Sequence, residues 1–345
     1  METYNLKLEV ISPTHIGSGS EIVSHLQYFY DNGKLYFIDE KKLIEELIKR
    51  GKIEDYSIKA SQEDFKLKQY LDSSGIDVNS VLGYRISCYK DVKWNIMSFI
   101  KDPYLNAYIP ATEIKGAIRS AIIYKKIKEI GANRILEQIG RIKPKDPGKI
   151  IERVIRKDNK TWNDLMRLIH IKDTEGINVS NSLEVIRIDL INTETRRRNN
   201  LCYLEALKQG VNFITDLKIY DEKISESLGL KISIDEVINS CKQFYEDILN
   251  YELNRIKALN ILSLNRFYEE SLKKLNKDEF LIRIGWGTGH YSKTIGMLIY
   301  NNPNFSRVRA YYKLGKRGLR FPASIKLAIK DGNELPLGWI KVKIS

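Results

Sequence analysis

The chain has 345 residues, 43% of them hydrophobic and 29% charged, and its 57 lysines and arginines against 44 acidic residues leave a formal charge of +13. This composition excludes a disordered or collagen-like chain and leaves room for about two domains of roughly 150 residues each. The positive surplus favours polyanionic partners, nucleic acid first among them, although lysine also serves merely to solvate a surface.

Near the amino terminus Tyr4, Leu6, Leu8 and Val10 alternate with polar residues, which predicts a half-buried strand running into a glycine loop, Ser12-Pro13-Thr14-His15-Ile16-Gly17-Ser18-Gly19. Asp31-Asn32-Gly33 predicts a hairpin turn between strands at 27–30 and 34–38. Leu43, Ile44, Leu47 and Ile48 recur at helical spacing until Gly51. Farther on, Thr112 is a fitting N-cap for a helix to Ile130, along which Ile114, Ile118, Ala121 and Ile122 form an apolar stripe. From Arg134 to Lys172 helical pieces are interrupted by Lys143-Pro144-Lys145-Asp146-Pro147-Gly148, as expected of an insertion. Strands are predicted over 185–190 and 211–219, helical spacing over 234–262, and a short strand over 280–284. Segments 324–329 and 339–344 flank Asp331-Gly332-Asn333 and are expected to form a closing hairpin. The fold class is therefore α+β, with an antiparallel sheet in each half.

The run Gly285-Trp286-Gly287-Thr288-Gly289-His290-Tyr291-Ser292-Lys293 sets three alternating glycines beside a lysine, a composition that lets backbone amides approach a phosphate. A dinucleotide fingerprint would need glycine at His290, and a Walker loop would need glycine at Ser292, so neither spacing fits. A tight turn where the sheet crosses a neighbour is the structural alternative. Lys115 and Arg119 lie four apart on one helix face, with Gly116 between them. Arg196-Arg197-Arg198 offers bidentate phosphate contacts. Lys313, Lys316, Arg317 and Arg320 are interleaved with Tyr311, Tyr312 and Phe321, which would suit a single strand if they are not core. His15 is the one candidate general base beside a glycine loop, although a structural histidine capping the loop is the favoured explanation. Cys88, Cys202 and Cys241 are scattered without a Cys-x-x-Cys pair, so no disulfide framework, metal or cofactor is expected. No apolar run reaches the roughly 20 residues of a membrane span and the start has no secretory pattern, so a cytoplasmic protein with no membrane partner is expected.

Taken in order, segments 8–19, 108–119, 285–296 and Pro336-Leu337-Gly338-Trp339-Ile340-Lys341-Val342 resemble the RAMP-superfamily proteins of type III-A CRISPR (Csm) effector complexes. The resemblance implies two ferredoxin-like (RRM-like) domains with helical insertions, set at 1–180 and 181–345. It also implies a non-catalytic subunit that binds CRISPR RNA, caps the backbone filament at the RNA's 3′ side and supports 3′-end maturation. The implied partners are CRISPR RNA, the repeated backbone RAMP subunit, the small subunit and host nucleases. The expected RNA-binding residues are His15, Gly17, Ser18, Gly19, Lys115, Gly116, Arg119, Arg196, Arg197, Arg198, Gly285, Gly287, Gly289, His290 and Lys293. The backbone subunits of such complexes cut target RNA with a loop aspartate, whereas Asp31 here falls in a hairpin turn. The competing expectation is a metal-independent CRISPR RNA-processing endoribonuclease using His15.

Overall fold

The computed structural model describes every residue except 1, 89–90, 144, 221–224, 228, 273–274, 301 and 316–320. In the first part of the chain the strands are β1 (Glu2–Val10), β2 (Gly17–Ile22), β3 (Tyr28–Asp31), β4 (Lys34–Ile38), β5 (Leu82–Ser87), β6 (Ile96–Phe99) and β7 (Asn106–Ala107). They continue as β8 (Ile169–Ile171), β9 (Ile177–Asn178), β10 (Leu183–Asn192), β11 (Arg198–Leu207) and β12 (Asn212–Ile219). The last four are β13 (Glu279–Arg283), β14 (Ser324–Lys330), β15 (Asn333–Leu335) and β16 (Trp339–Ile344).

The alternation of β1 does what the spacing predicts: Leu6, Leu8 and Val10 are fully buried. β1 lies at the centre of an antiparallel sheet ordered β13–β16–β1–β12–β8. Along the chain, β1, the Ala111–Ile130 helix, β8, β12, the Ile234–Ile256 helix and β16 follow one another. Their strands lie side by side as fourth, first, third and second, the ferredoxin-like βαββαβ arrangement, with β13 added beyond β16. This unit takes residues from both sides of position 180. The two helices meet through Tyr245, whose hydroxyl donates to the Ala117 carbonyl at 3.2 Å, and through Tyr124, whose hydroxyl donates to Asp247 at 2.8 Å.

Ile114, Ala117, Ile118, Ala121 and Ile122 are buried, so the Ala111–Ile130 helix exists to cover the sheet. Its cap differs from expectation. Pro110 occupies the N-cap position and Thr112 lies exposed in the first turn, while the Asp173 carboxylate accepts from the Ala111 amide at 2.7 Å.

A second sheet runs β15–β14–β10–β11–β6–β2 and is antiparallel except where β11 meets β6. One face joins the main core through Leu183, Tyr203, Leu207 and Leu327. The other holds a separate cluster of Ile186, Ile188, Leu204, Ala206, Ala328 and Leu337, with Trp286 packed against it. The predicted closing hairpin is corrected here. Asp331 and Gly332 do turn with φ of 47° and 79°, but the partner of β14 is the short β15, and β16 leaves for the first sheet to pair with β1. The early hairpin is as expected: β3 and β4 flank Asn32 and Gly33, whose φ of 46° and 77° suit a primed turn.

Candidate nucleic-acid interface

The four motif segments, remote in sequence, meet at one seam between the two sheets. Ser12 Oγ accepts from the Trp339 amide at 2.9 Å, and the Pro13 carbonyl accepts from the Gly338 amide at 2.9 Å. The His15 carbonyl accepts from the Trp286 amide at 2.8 Å, and Glu113 Oε2 accepts from the Gly285 amide at 2.8 Å. Close approach explains three glycines here. A Cβ on Gly285 would stand 2.3 Å from the His15 carbonyl oxygen, one on Gly338 2.3 Å from the Ile284 oxygen, and one on Gly287 2.6 Å from Leu337 Cδ1. All three also have φ between 81° and 85°.

His15 is fully buried. Its Nδ1 lies 2.6 Å from the Glu205 carbonyl oxygen, its ring meets Phe99 and Trp286 edge-on, and its Nε2 has no hydrogen-bond partner among the described residues. Burial lowers its pKa below the ordinary histidine value, so it is held neutral. A general base must reach the proton it abstracts, and this imidazole is sealed off from solvent. The residue expected to touch RNA or to cut it is instead a pillar of the seam.

The remaining expected residues divide into those engaged within the fold and those that are presented outward. Arg119 donates to Glu152 at 3.1 Å and to Asp164 at 3.2 Å, in a network that Arg156 shares, so it fastens the insertion to the helix. Arg196 has a φ of 57° and donates to the Ala258 carbonyl at 2.8 Å, and Arg198 pairs with Glu334. Arg197 is exposed between them. A Cβ on Gly116 would meet nothing within 4 Å among the described residues, and no described element beyond its own helix approaches it closely. Lys115 is half-buried, and burial lowers its pKa while Asp164 acts in the opposite direction.

Gly17, Ser18 and Gly19, expected in a loop, form the exposed start of β2 at the edge of the second sheet. Gly289 and Lys293 are exposed at the far end of the glycine loop. The Tyr291–Lys293 turn packs on the Ala111–Ile130 helix, which brings Lys293 to the element that carries Lys115. His290 is half-buried against Phe321, and that burial lowers its pKa. Lys326 lies over the half-buried Trp286 ring, 5.0 Å from its centroid. Of the Tyr311–Phe321 cluster, Lys316, Arg317 and Arg320 lie outside the described residues. Asp31 pairs with Lys68 at 3.0 Å in its hairpin.

Sequence reasoning missed two buried charge networks. The Glu205 carboxylate accepts from the Phe99 amide at 2.8 Å and the Tyr84 hydroxyl at 2.6 Å, and forms an ion pair with Lys101. Arg283 donates to Glu252 at 2.7 Å, and Glu252 also accepts from Tyr268. The available signal was a single charge inside an apolar strand, as in Phe280-Leu281-Ile282-Arg283-Ile284.

The model of the RAMP superfamily matches residues 7–292. The chain belongs to the RAMP superfamily. Among curated proteins it is similar to the CRISPR system protein Csm5 of Methanocaldococcus jannaschii, 26% identical over 99% of this chain and 89% of that protein. Csm5 of Streptococcus thermophilus is 24% identical over 85% of this chain and 80% of its own length. Among solved structures, a chain of a Csm–crRNA–target RNA ternary complex from a type III-A CRISPR-Cas system superposes with a TM-score of 0.78 at 21% identity, covering 99% of this chain and 100% of that one. Csm5 of T. onnurineus gives 0.69 at 19% identity, covering 97% and 99%. The expected resemblance, a RAMP protein most like the fifth Csm subunit, therefore holds along nearly the whole chain, and the antiparallel α+β fold agrees with it.

Proposed function

We propose that this protein is the fifth subunit of a Csm-type CRISPR effector complex and that it holds CRISPR RNA by its phosphates without cutting it. The observation that carries this reading is the outward lip of the seam, where Gly289, Lys293 and Lys115 stand on adjoining elements and the polar β2 edge with Gly17, Ser18 and Gly19 begins two residues after His15 of the seam. Cations beside exposed backbone supply sequence-independent attraction for a ribose-phosphate chain. The relatives named for this subunit span nearly the same length, and the +13 charge supports a polyanionic partner.

In this reading the protein caps the backbone filament at the RNA's 3′ side, with the repeated RAMP subunit and the small subunit as partners, and host nucleases trim the RNA beyond it. A sheet edge such as β2 supplies unpaired backbone groups for docking a neighbouring subunit. Binding without catalysis is supported by the burial of His15 and by the ion pair that occupies Asp31.

Titrating the purified protein with CRISPR RNA over a range of salt tests the reading. Affinity is expected to fall linearly with the logarithm of salt, and Lys115→Ala and Lys293→Ala are each expected to weaken binding and reduce the slope by about 1. Affinity indifferent to salt and to both substitutions would overturn it.

A further inference from the structure

Behind the glycine loop lies a cavity of about 50 Å³, lined by Arg255, Arg283, Lys326, His290 and the backbone from Gly287 to Gly289. Its two guanidiniums are differently placed. Arg283 is neutralised by Glu252 at 2.7 Å, and its Nε donates to the Leu337 carbonyl at 2.9 Å. Arg255 is only 8% exposed, yet its Nη2 donates to two neutral oxygens, Thr193 Oγ1 at 3.2 Å and the Pro322 carbonyl. Among the described residues its buried Nε has no hydrogen-bond partner and no carboxylate forms an ion pair with it. Guanidinium does not give up its proton in a protein, so an unpaired buried arginine is costly unless an anion joins it.

We propose that this cavity binds one phosphate group, either as free phosphate or as the terminal phosphate of an RNA strand. Three cations, Arg255, Arg283 and Lys326, face the single carboxylate of Glu252 there, leaving a surplus of two positive charges. A phosphate monoester carries nearly two negative charges at neutral pH, whereas an internal phosphodiester carries one. The volume agrees: one water needs roughly 10–15 Å³ of such space, so about 50 Å³ admits a small tetrahedral anion and not a nucleoside. A monoester has one substituent and needs one exit, which suits a small enclosure better than a diester with two. Gly287 and Gly289, with φ of 81° and 84°, bend the backbone over the space as anion-binding concavities require.

The RNA-end source rests on the RNA-binding reading above; the free-phosphate source does not. Thermal unfolding of the full chain in sodium phosphate and in sodium chloride of equal ionic strength tests the site itself. RNA of one sequence, carrying a phosphate at the 5′ end, at the 3′ end or at neither, tests the source. Phosphate is expected to raise the melting temperature by a few degrees at concentrations well above its dissociation constant. A phosphorylated RNA end is expected to bind about tenfold more tightly than a hydroxyl end. Arg255→Gln is expected to abolish both effects, and Lys326→Gln, at a half-exposed position, to diminish them in a protein that keeps its fold. A phosphate effect without preference for RNA ends supports the site with free phosphate as its ligand. A phosphate effect with no RNA binding supports the site and removes the RNA-binding reading. Steep, salt-dependent RNA binding with neither a phosphate effect nor an end preference overturns the site and leaves that reading standing.

Discussion

The two ends of the glycine loop use the same residue for opposite reasons. At its start Gly285 is buried, and a Cβ there would collide with the His15 carbonyl oxygen at 2.3 Å; at its end Gly289 is exposed, and a Cβ would meet nothing within 4 Å among the described residues. Their φ values do not distinguish them, being 82° and 84°. What distinguishes them is what lies opposite: the protein's own backbone in one case and open space in the other. A glycine-rich motif is thus partly a joint and partly a surface, and only the surface part is available to a partner.

The strongest way to break this comparison is Gly285→Ala. The new methyl would press on backbone rather than on a flexible side chain, so either the His15 carbonyl or the loop has to move, and two interlocked hydrogen bonds, Trp286 to His15 and Gly285 to Glu113, go with it. Together with the unfavourable φ, the expected loss is about 3 kcal/mol or more. Chemical denaturation of the variant checks it, and an unchanged midpoint would mean that the seam is looser than its distances indicate.

The buried end is also sharpened by pH. His15 sits there with its pKa lowered by burial, which means that the unfolded chain takes up its proton more readily than the folded one. Its contribution is fully present above the unfolded value of about 6.5 and is lost as pH falls from there toward the depressed folded value, because unfolding then becomes coupled to proton uptake. His290, also lowered by burial, acts in the same direction. Stability measured from pH 8 down to pH 5 is therefore expected to decline below about 6.5. His15→Gln, which removes the titrating group, is expected to flatten part of that decline. A parallel decline in wild type and variant would assign it to other groups.

The same contrast between local pattern and distant partner governs what was legible in the sequence. β1 was visible because one of its faces is buried and the other is not, which writes a period of two into Leu6, Leu8 and Val10. β11 was missed because its outer half, 198–201, is exposed while Tyr203 to Leu207 is buried on both faces, so no period appears. β2 was taken for a loop since Gly17-Ser18-Gly19-Ser20 is polar throughout, as an exposed edge strand permits. β16 was assigned to the nearest strand in sequence, yet its partner β1 lies more than three hundred residues away, and nothing local specifies that choice. At the site, residue types were legible and their employment was not. Arg119 looks like a phosphate ligand until Glu152 and Asp164 are seen to hold it, and no spacing reveals that Arg255 has no such partner among the described residues.

The smallest expected change in stability is at the exposed end. Gly289→Ala adds a methyl group that meets none of the described residues, so the expected cost to the fold is that of an alanine held at φ near 84°, about 1 to 2 kcal/mol. The effect on RNA separates surface from joint. If the backbone of Gly289 approaches a ribose-phosphate chain, the methyl occupies the space that chain needs, and affinity falls although the protein remains folded. Lys293→Ala weakens the same contact by removing a charge, so its effect diminishes as salt rises, whereas the steric effect of Gly289→Ala persists at any salt concentration. Titrations of both variants at low and high salt therefore distinguish backbone approach from simple attraction. Equal, salt-independent affinity in both variants would place the RNA elsewhere on the molecule.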